Sequence, residues 1–359
     1  MMSKYLDNPF KYLCYNTGNG GTCMQLDNEL LNNFSKLSDR QKHEIYRMIE
    51  DFIFTNKLIE DTTPYKCPVC GKKARVIKKG KQNGKQRYCC CNCHHKFTYD
   101  SNTITSCMKI TKEEFLEICM DTISMIPIAE TAKRLHRSIP CVFNNRHKFL
   151  YVLEHYLASE VTNILSGTVE IDETYVLNSE KGSKHCSRIP RHRGEPAKHR
   201  GLSKEYVCIV TSTDRNTHEV YKAVGTGAPS SELVKDNFKG CISQKSVIYC
   251  DGTNCYNDLA EITDCKKVNL ESHKSYNKVE HINTVNCIHS IIKSCISFYR
   301  NVASKYINRY LALFVFQRRV LEDDDWLVKE LLLKKYRMFD YNIPIKSLQN
   351  TDLFAYSCY

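Results

Sequence analysis

Four cysteines constrain this chain more than any other feature. Cys67-x2-Cys70 and Cys90-x2-Cys93 are separated by 19 residues in "YKCPVCGKKARVIKKGKQNGKQRYCCCNCHHKF". Two short knuckles joined by a hairpin-length spacer bring four thiolates to one point, the tetrahedral arrangement that Zn2+ takes in structural sites. Asn83-Gly84 divides the spacer into two strand-like runs, so the expected unit is a small ribbon folded around structural zinc. Cys89, Cys91, His94 and His95 crowd the second knuckle and leave its register open. The ribbon is rich in Lys and Arg (Lys72, Lys73, Lys78, Lys79, Lys81, Lys85, Arg87), which suits a phosphate backbone or simply a charged surface.

The whole chain carries a formal net charge of +12 over 359 residues, a balance that fits an acidic partner, with nucleic acid the commonest. Its 20 cysteines lie mostly inside apolar patterns, and no apolar leader precedes them, so they read as reduced thiols in a cytoplasmic protein, nucleoid-associated when bound to DNA. No run of about 18 apolar residues suggests a membrane span.

Residues 1–60 read as a polar helical segment and 61–100 as the zinc ribbon. Residues 108–160 read as helices, with a turn at His136–Ser138 and Ser138 as N-cap of the second helix of a helix-turn-helix-like pair. Ile139, Val142, Phe143 and Phe149 are expected to face the first helix. Cys141, Asn144, Asn145 and Lys148 are expected to face outward, toward DNA. From residue 165 the period shortens to that of strands: "GTVEIDETYV", then two strands in "EYVCIVTSTDRNTHEVYKAV", then strands alternating with helices to 320, a mixed α/β sheet. Residues 321–359 read as a helical tail.

Asp172 lies inside the first of these strands, and Asp251 ends the buried strand "SVIYC", a position where α/β sheets place catalytic and metal-binding groups. Asp251-Gly252 also has the form of a simple turn. Glu170 and Glu173 are second choices, assigned to the strand face opposite Asp172. In "HINTVNCIHSIIK", Val285, Ile288 and Ile292 make an apolar helical stripe, while Asn286, His289 and Lys293 share a polar face without a carboxylate. His289 fits a DNA or water contact there, and fits a surface histidine equally well. The segment 180–204, "EKGSKHCSRIPRHRGEPAKHRGLSK", is basic, too long for a plain connector, and reads as a DNA-contacting loop or a disordered insertion.

Together the ribbon, "VEIDETYV", "RGLSKEYVCIV", "YCDGTNCY", "HINTVNCIHSIIK" and "VASKYINRYLALF" resemble bacterial insertion-sequence transposases of the DDE superfamily. The resemblance is to the zinc-ribbon subgroup with Asn at the third catalytic position (the ISXO2-like transposase domain), and it covers roughly residues 65–318. It implies a ribonuclease-H-like catalytic domain over 165–320, with Asp172, Asp251 and Asn286 holding two catalytic Mg2+ ions and Lys293 at the basic position two turns later. It implies Cys67, Cys70, Cys90 and Cys93 as zinc ligands. It also implies partners: terminal inverted repeats, target DNA, and further copies of the chain assembled on DNA. Asn144, Asn145, Lys148, Arg191, Arg193, Lys198 and Arg200 are the expected DNA contacts. The competing reading is a catalytically inactive zinc-ribbon DNA-binding protein, and a third is a nuclease that cuts without rejoining.

Overall fold

The computed structural model describes residues 67–72, 75–82, 84–98, 101, 106, 108–160, 162–183, 185–189, 191–192, 194–270, 280–299, 302–320 and 345–349. The expected helical segment 1–60, Arg193, and the 321–359 tail apart from 345–349 lie outside the described residues.

The ribbon is a three-stranded sheet in the order β1 (Val76–Gln82), β2 (Lys85–Cys90), β3 (Lys96–Thr98). The β1–β2 turn uses Gly84 at φ +76°, a conformation that costs glycine nothing. β2 and β3 run antiparallel with Tyr88 opposite Phe97, and these two rings stack 5.9 Å apart.

Three helices follow: α1 (Lys112–Ile123), α2 (Ile128–Arg134) and α3 (Ile139–Glu160). A capping box starts α1. Thr111 Oγ1 accepts from the Glu114 N–H at 3.2 Å, and Glu114 Oε2 accepts from the Thr111 N–H at 2.8 Å. His136, at φ +51°, turns the chain between α2 and α3, and Ser138 Oγ accepts from the Cys141 N–H at 3.3 Å, as the cap reading requires.

The outward face expected for α3 is not there. Asn145 and Lys148 are 9% and 8% exposed, Asn144 accepts from Gln349 Nε2 at 3.1 Å, and residues 145–154 are buried without a break. Ile139, expected inside, is 56% exposed. α3 is a core helix wrapped by neighbours, and its polar side chains turn to them. Arg146 donates to the Ile126 carbonyl at 2.7 Å, and Asn145 to the Cys141 carbonyl at 2.9 Å.

The second sheet has five strands: β4 (Thr168–Leu177), β5 (Tyr206–Asp214), β6 (Glu219–Thr226), β7 (Val247–Cys250) and β8 (Lys266–Asn269), in the order β6-β5-β4-β7-β8. β4, β5 and β6 form an antiparallel meander, and β7 and β8 add to β4 in parallel. This mixed sheet is the ribonuclease-H-like arrangement expected. Helices α4 (Ser231–Phe238), α5 (Asn257–Ile262), α6 (Asn283–Phe298), α7 (Ile307–Val320) and α8 (Ile345–Gln349) complete the described elements.

Burial separates the two faces of β4. Val169 and Ile171 join Val234, Phe238, Tyr256 and Leu259 in one core. The other core unites α1, α3, α6 and α7 with Val207, Ile209, Tyr221 and Ala223 of β5 and β6. The even-numbered residues of β4 therefore look toward α6. This corrects the assignment of Glu170: two residues from Asp172 on a period-two strand, it shares the face of Asp172.

Candidate functional site: a carboxylate cluster at a strand end

β7 pairs with β4 only as far as Glu170↔Tyr249 and then stops at Cys250. Beyond that point β4 keeps β5 on one side, with Asp172 opposite Thr211, and has no strand on the other. The chain leaving β7 turns through Asp251 and Gly252, the latter at φ +91°, and Asp251 Oδ1 accepts from the Thr253 N–H at 3.3 Å. Asp251 thus makes the turn and also faces the open side of β4.

Side chains from both faces of β4 meet Asp251 at this open edge. Asp172, Glu173 and Asp251 each bring a carboxylate oxygen to within 4.8 Å of the others. Asp172 Oδ1 accepts from the Glu173 N–H at 2.9 Å, and the Tyr256 hydroxyl, from the opposite core, donates to Glu173 Oε2. Glu173, a second choice in the sequence, is therefore inside the cluster. Burial, Glu173 and Asp251 push the Asp172 carboxyl up to about 7, against the Glu173 N–H and the Lys293 charge. Burial also raises Glu173, although the Tyr256 hydroxyl opposes the shift. Three acidic groups that cannot all ionise cheaply are a fitting set of oxygen donors for a hard divalent cation.

The α6 stripe of Val285, Ile288 and Ile292 is buried as expected. Asn286 and Lys293 are exposed on the same helix. His289, between them, is buried rather than at the surface. Its Nε2 is 2.7 Å from Thr211 Oγ1 and its Nδ1 is 3.8 Å from Asp172 Oδ2. Burial and the Lys293 charge hold the imidazole down to about 4, so it is neutral at pH 7. Its place at the border of the apolar stripe was the available signal that it would be enclosed.

Glu170 does not join the cluster. Its carboxylate is 1% exposed, pairs with Arg215, and accepts from the Thr284 N–H (2.9 Å), Thr284 Oγ1 (2.9 Å) and the Val285 N–H (3.1 Å) at the start of α6. It binds the helix of Asn286 and Lys293 to the strand of Asp172.

In the ribbon, the Sγ atoms of Cys67, Cys70, Cys90 and Cys93 lie within 4.8 Å of one another. A tetrahedral Zn2+ with bonds of about 2.3 Å spaces its sulfurs by about 3.8 Å, so the four fit. The second knuckle is in the Cys90, Cys93 register: Cys91, His94 and His95 are exposed, and Cys89 Sγ turns to the His94 carbonyl at 3.5 Å.

Among the basic-loop residues, Arg188 and Arg191 both donate to the Asn178 carbonyl, at 2.9 and 3.1 Å, while Lys198 and Arg200 are exposed. Ser179 and Ser304 exchange two hydrogen bonds (2.8 and 2.7 Å) at the loop base.

Residues 164–319 match the family described as the ISXO2-like transposase domain. A curated relative, an uncharacterized protein in transposable element ISH50 of Halobacterium salinarum, is 25% identical over 269 residues, covering 71% of this chain and 85% of its own length. Similar solved structures include a chain of the simian T-cell lymphotropic virus intasome in complex with PP2A regulatory subunit B56 gamma. It is 12% identical, with a TM-score of 0.24 over 55% of this chain and 66% of that one, just under two thirds of its length. A chain of a pre-cleavage Mos1 transpososome is 10% identical, with a TM-score of 0.21 over 64% of this chain and 78% of that one. At these scores the fold rests on the strand order itself. Among the described residues, no helix is long and apolar enough to cross a membrane.

Proposed function

We propose that the chain is the DNA transposase of an insertion sequence, binding the element's terminal inverted repeats and cleaving and joining DNA strands through Asp172, Asp251, Asn286 and Lys293. The observation that carries this reading is the meeting of the Asp172, Glu173 and Asp251 carboxylates at the end of β7, inside the segment matched as a transposase domain.

Two divalent cations bound there would activate the attacking oxygen and stabilise the leaving one. The chain's own part is placement. Asp172 on β4 and Asp251 just past the end of the parallel neighbour β7 present oxygens at one place. Asn286 offers a neutral carbonyl oxygen, and Lys293, whose charge already acts on Asp172, meets a phosphate oxygen as a point charge. Lys198 and Arg200 on the loop after β4, and the basic ribbon held by zinc, supply backbone contacts. Copies of the chain assemble on paired ends. The burial of Asn145 and Lys148 removes them from the DNA contacts.

The test is strand transfer. Zinc-loaded protein, Mg2+ and DNA carrying the repeats that border the gene should yield joined product, and Asp172→Asn and Asp251→Asn should each lower the yield at least about 1000-fold, the scale on which deleting a principal catalytic group acts. End binding without cleavage in Mg2+ or Mn2+ refutes the reading in favour of an inactive DNA-binding protein. Cleavage without joining refutes it in favour of a nuclease.

A further inference from the structure

The hydrogen bonds around His289 decide which of its ring nitrogens is bare. Thr211 has one hydroxyl hydrogen and gives it to the Asp172 carbonyl at 3.2 Å. The Thr211 oxygen, 2.7 Å from His289 Nε2, must then accept from the imidazole. Nε2 carries the ring hydrogen, and the Nδ1 lone pair is left without a hydrogen-bond donor. That lone pair lies 3.8 Å from Asp172 Oδ2, with both side chains largely withdrawn from water.

Two acceptors facing one another at this distance repel unless a proton on Asp172 or a cation stands between them, and a divalent cation takes the place of that proton. Ligands at right angles on a small divalent ion lie about 3 Å apart, so a slight closing of the pair suffices. The Thr211 contact is also the kind of outer bond that fixes the tautomer of a metal-binding histidine. The His289 side chain is 10% exposed, and its Nδ1 faces the Asp172 carboxylate. From the opposite face, Glu173 is oriented by the fully buried Tyr256, whose hydroxyl engages one carboxylate oxygen.

We propose that the cation site of Asp172 and Asp251 is a mixed oxygen–nitrogen site completed by Glu173 and His289 Nδ1, and that it prefers Mn2+ to Mg2+. The ligand set rests on the geometry above, while its use in DNA cleavage rests on the transposase reading. Glu173 supplies the carboxylate that Asn286 lacks. The imidazole explains the metal preference: Mg2+ keeps to oxygen donors and water, whereas imidazole favours transition metals.

Pulsed electron paramagnetic resonance on the zinc-loaded full chain with one equivalent of Mn2+ reads the ligands directly. The expected spectrum shows 14N modulation from a bound imidazole, converted to the 15N pattern by labelling histidine and removed in His289→Gln. Glu173→Gln should weaken Mn2+ binding about tenfold or more while keeping the modulation, and in competition Mn2+ should bind at least about tenfold more tightly than Mg2+, the scale on which single ligand-shell changes act. Thr211→Val, which leaves every ligand in place, should weaken Mn2+ binding less than His289→Gln does. A bound Mn2+ without nitrogen modulation, modulation that survives His289→Gln, or no Mn2+ binding at all overturns the proposal. Strand joining measured on the same samples separates the two readings. Joining without modulation overturns the ligand set and leaves the transposase standing; modulation without cleavage keeps the ligand set and removes the transposase.

Discussion

Removing Glu170 should loosen the start of α6 and with it the alignment of the whole site. Its buried carboxylate takes the Thr284 N–H, the Thr284 hydroxyl and the Val285 N–H, and pairs with Arg215. Bonds to a charged acceptor are worth about 1.5–3 kcal/mol each by deletion, but these share one carboxylate and do not add. Loss of a helix cap costs about 0.5–2 kcal/mol, and breaking a buried ion pair from one side costs about 3–5 kcal/mol. Glu170→Ala is therefore expected to cost about 3–5 kcal/mol. Glu170→Gln keeps the shape and one acceptor oxygen but loses the charge facing the helix N-terminus, and should cost about 2–3 kcal/mol. Arg215→Ala should cost only about 1 kcal/mol, because the Arg215 side chain is 33% exposed and the helix donors still hold the carboxylate. Urea unfolding gives the three values, and hydrogen exchange at the Thr284 and Val285 amides shows whether the loss is local. A Glu170→Ala protein within about 1 kcal/mol of wild type, or an Arg215→Ala loss exceeding that of Glu170→Ala, would show that Glu170 is not what binds α6 to β4.

Asp172, raised from 3.8 to about 7, keeps a proton in the folded state that the unfolded chain has already released. Without added divalent cation, stability should therefore fall as the pH rises from about 4 to about 7 and level off above, by on the order of 1–3 kcal/mol; Asp172→Asn should flatten that slope, and an unchanged slope refutes the assignment. Purified protein should hold one zinc per chain by atomic absorption, with Cys67→Ser losing it and the ribbon amides losing protection from exchange; full zinc content in that variant rejects the four-cysteine site. In DNA binding measured against salt, Lys198→Ala and Arg200→Ala should each reduce the log–log slope by about 0.9. Arg191→Ala, which leaves the Asn178 carbonyl to Arg188 alone, should instead raise proteolysis of the loop, and a slope change from Arg191→Ala equal to theirs contradicts that division.

Much of the site is legible from short-range pattern. The spacing of Cys67, Cys70, Cys90 and Cys93 marks the ribbon because it brings four sulfurs to one point, and the structure places them within 4.8 Å of one another. Asp251 is placed at the exit of a buried strand by the apolar run before it and the glycine after it. Val285, Ile288 and Ile292 define the buried side of α6 by period alone. The outward face assigned to α3 failed for a reason equally physical: Asn145 and Lys148 look like surface residues until helices pack around them and the buried Arg146 and His147 beside them.

Glu173 shows where local rules end. Alternation puts it on the face opposite Asp172, and it does arise there, beside Tyr256. Alternation keeps neighbours apart, however, only while the sheet continues on both sides. β7 stops at Cys250, and at the open edge both carboxylates reach Asp251.

The sequence by itself determined that a four-cysteine ribbon is present, the order of strands and helices, and the residues that could carry the chemistry, because each depends on spacing along the chain; the Cys90, Cys93 register came from the structure. Tertiary structure decided which carboxylates meet and how α6 is held. Ile282 precedes α6 without a capping side chain, and the first turn has no acid of its own. The capping carboxylate comes from Glu170, 114 positions earlier, and a partner at that separation exists only once β4 and α6 have packed together.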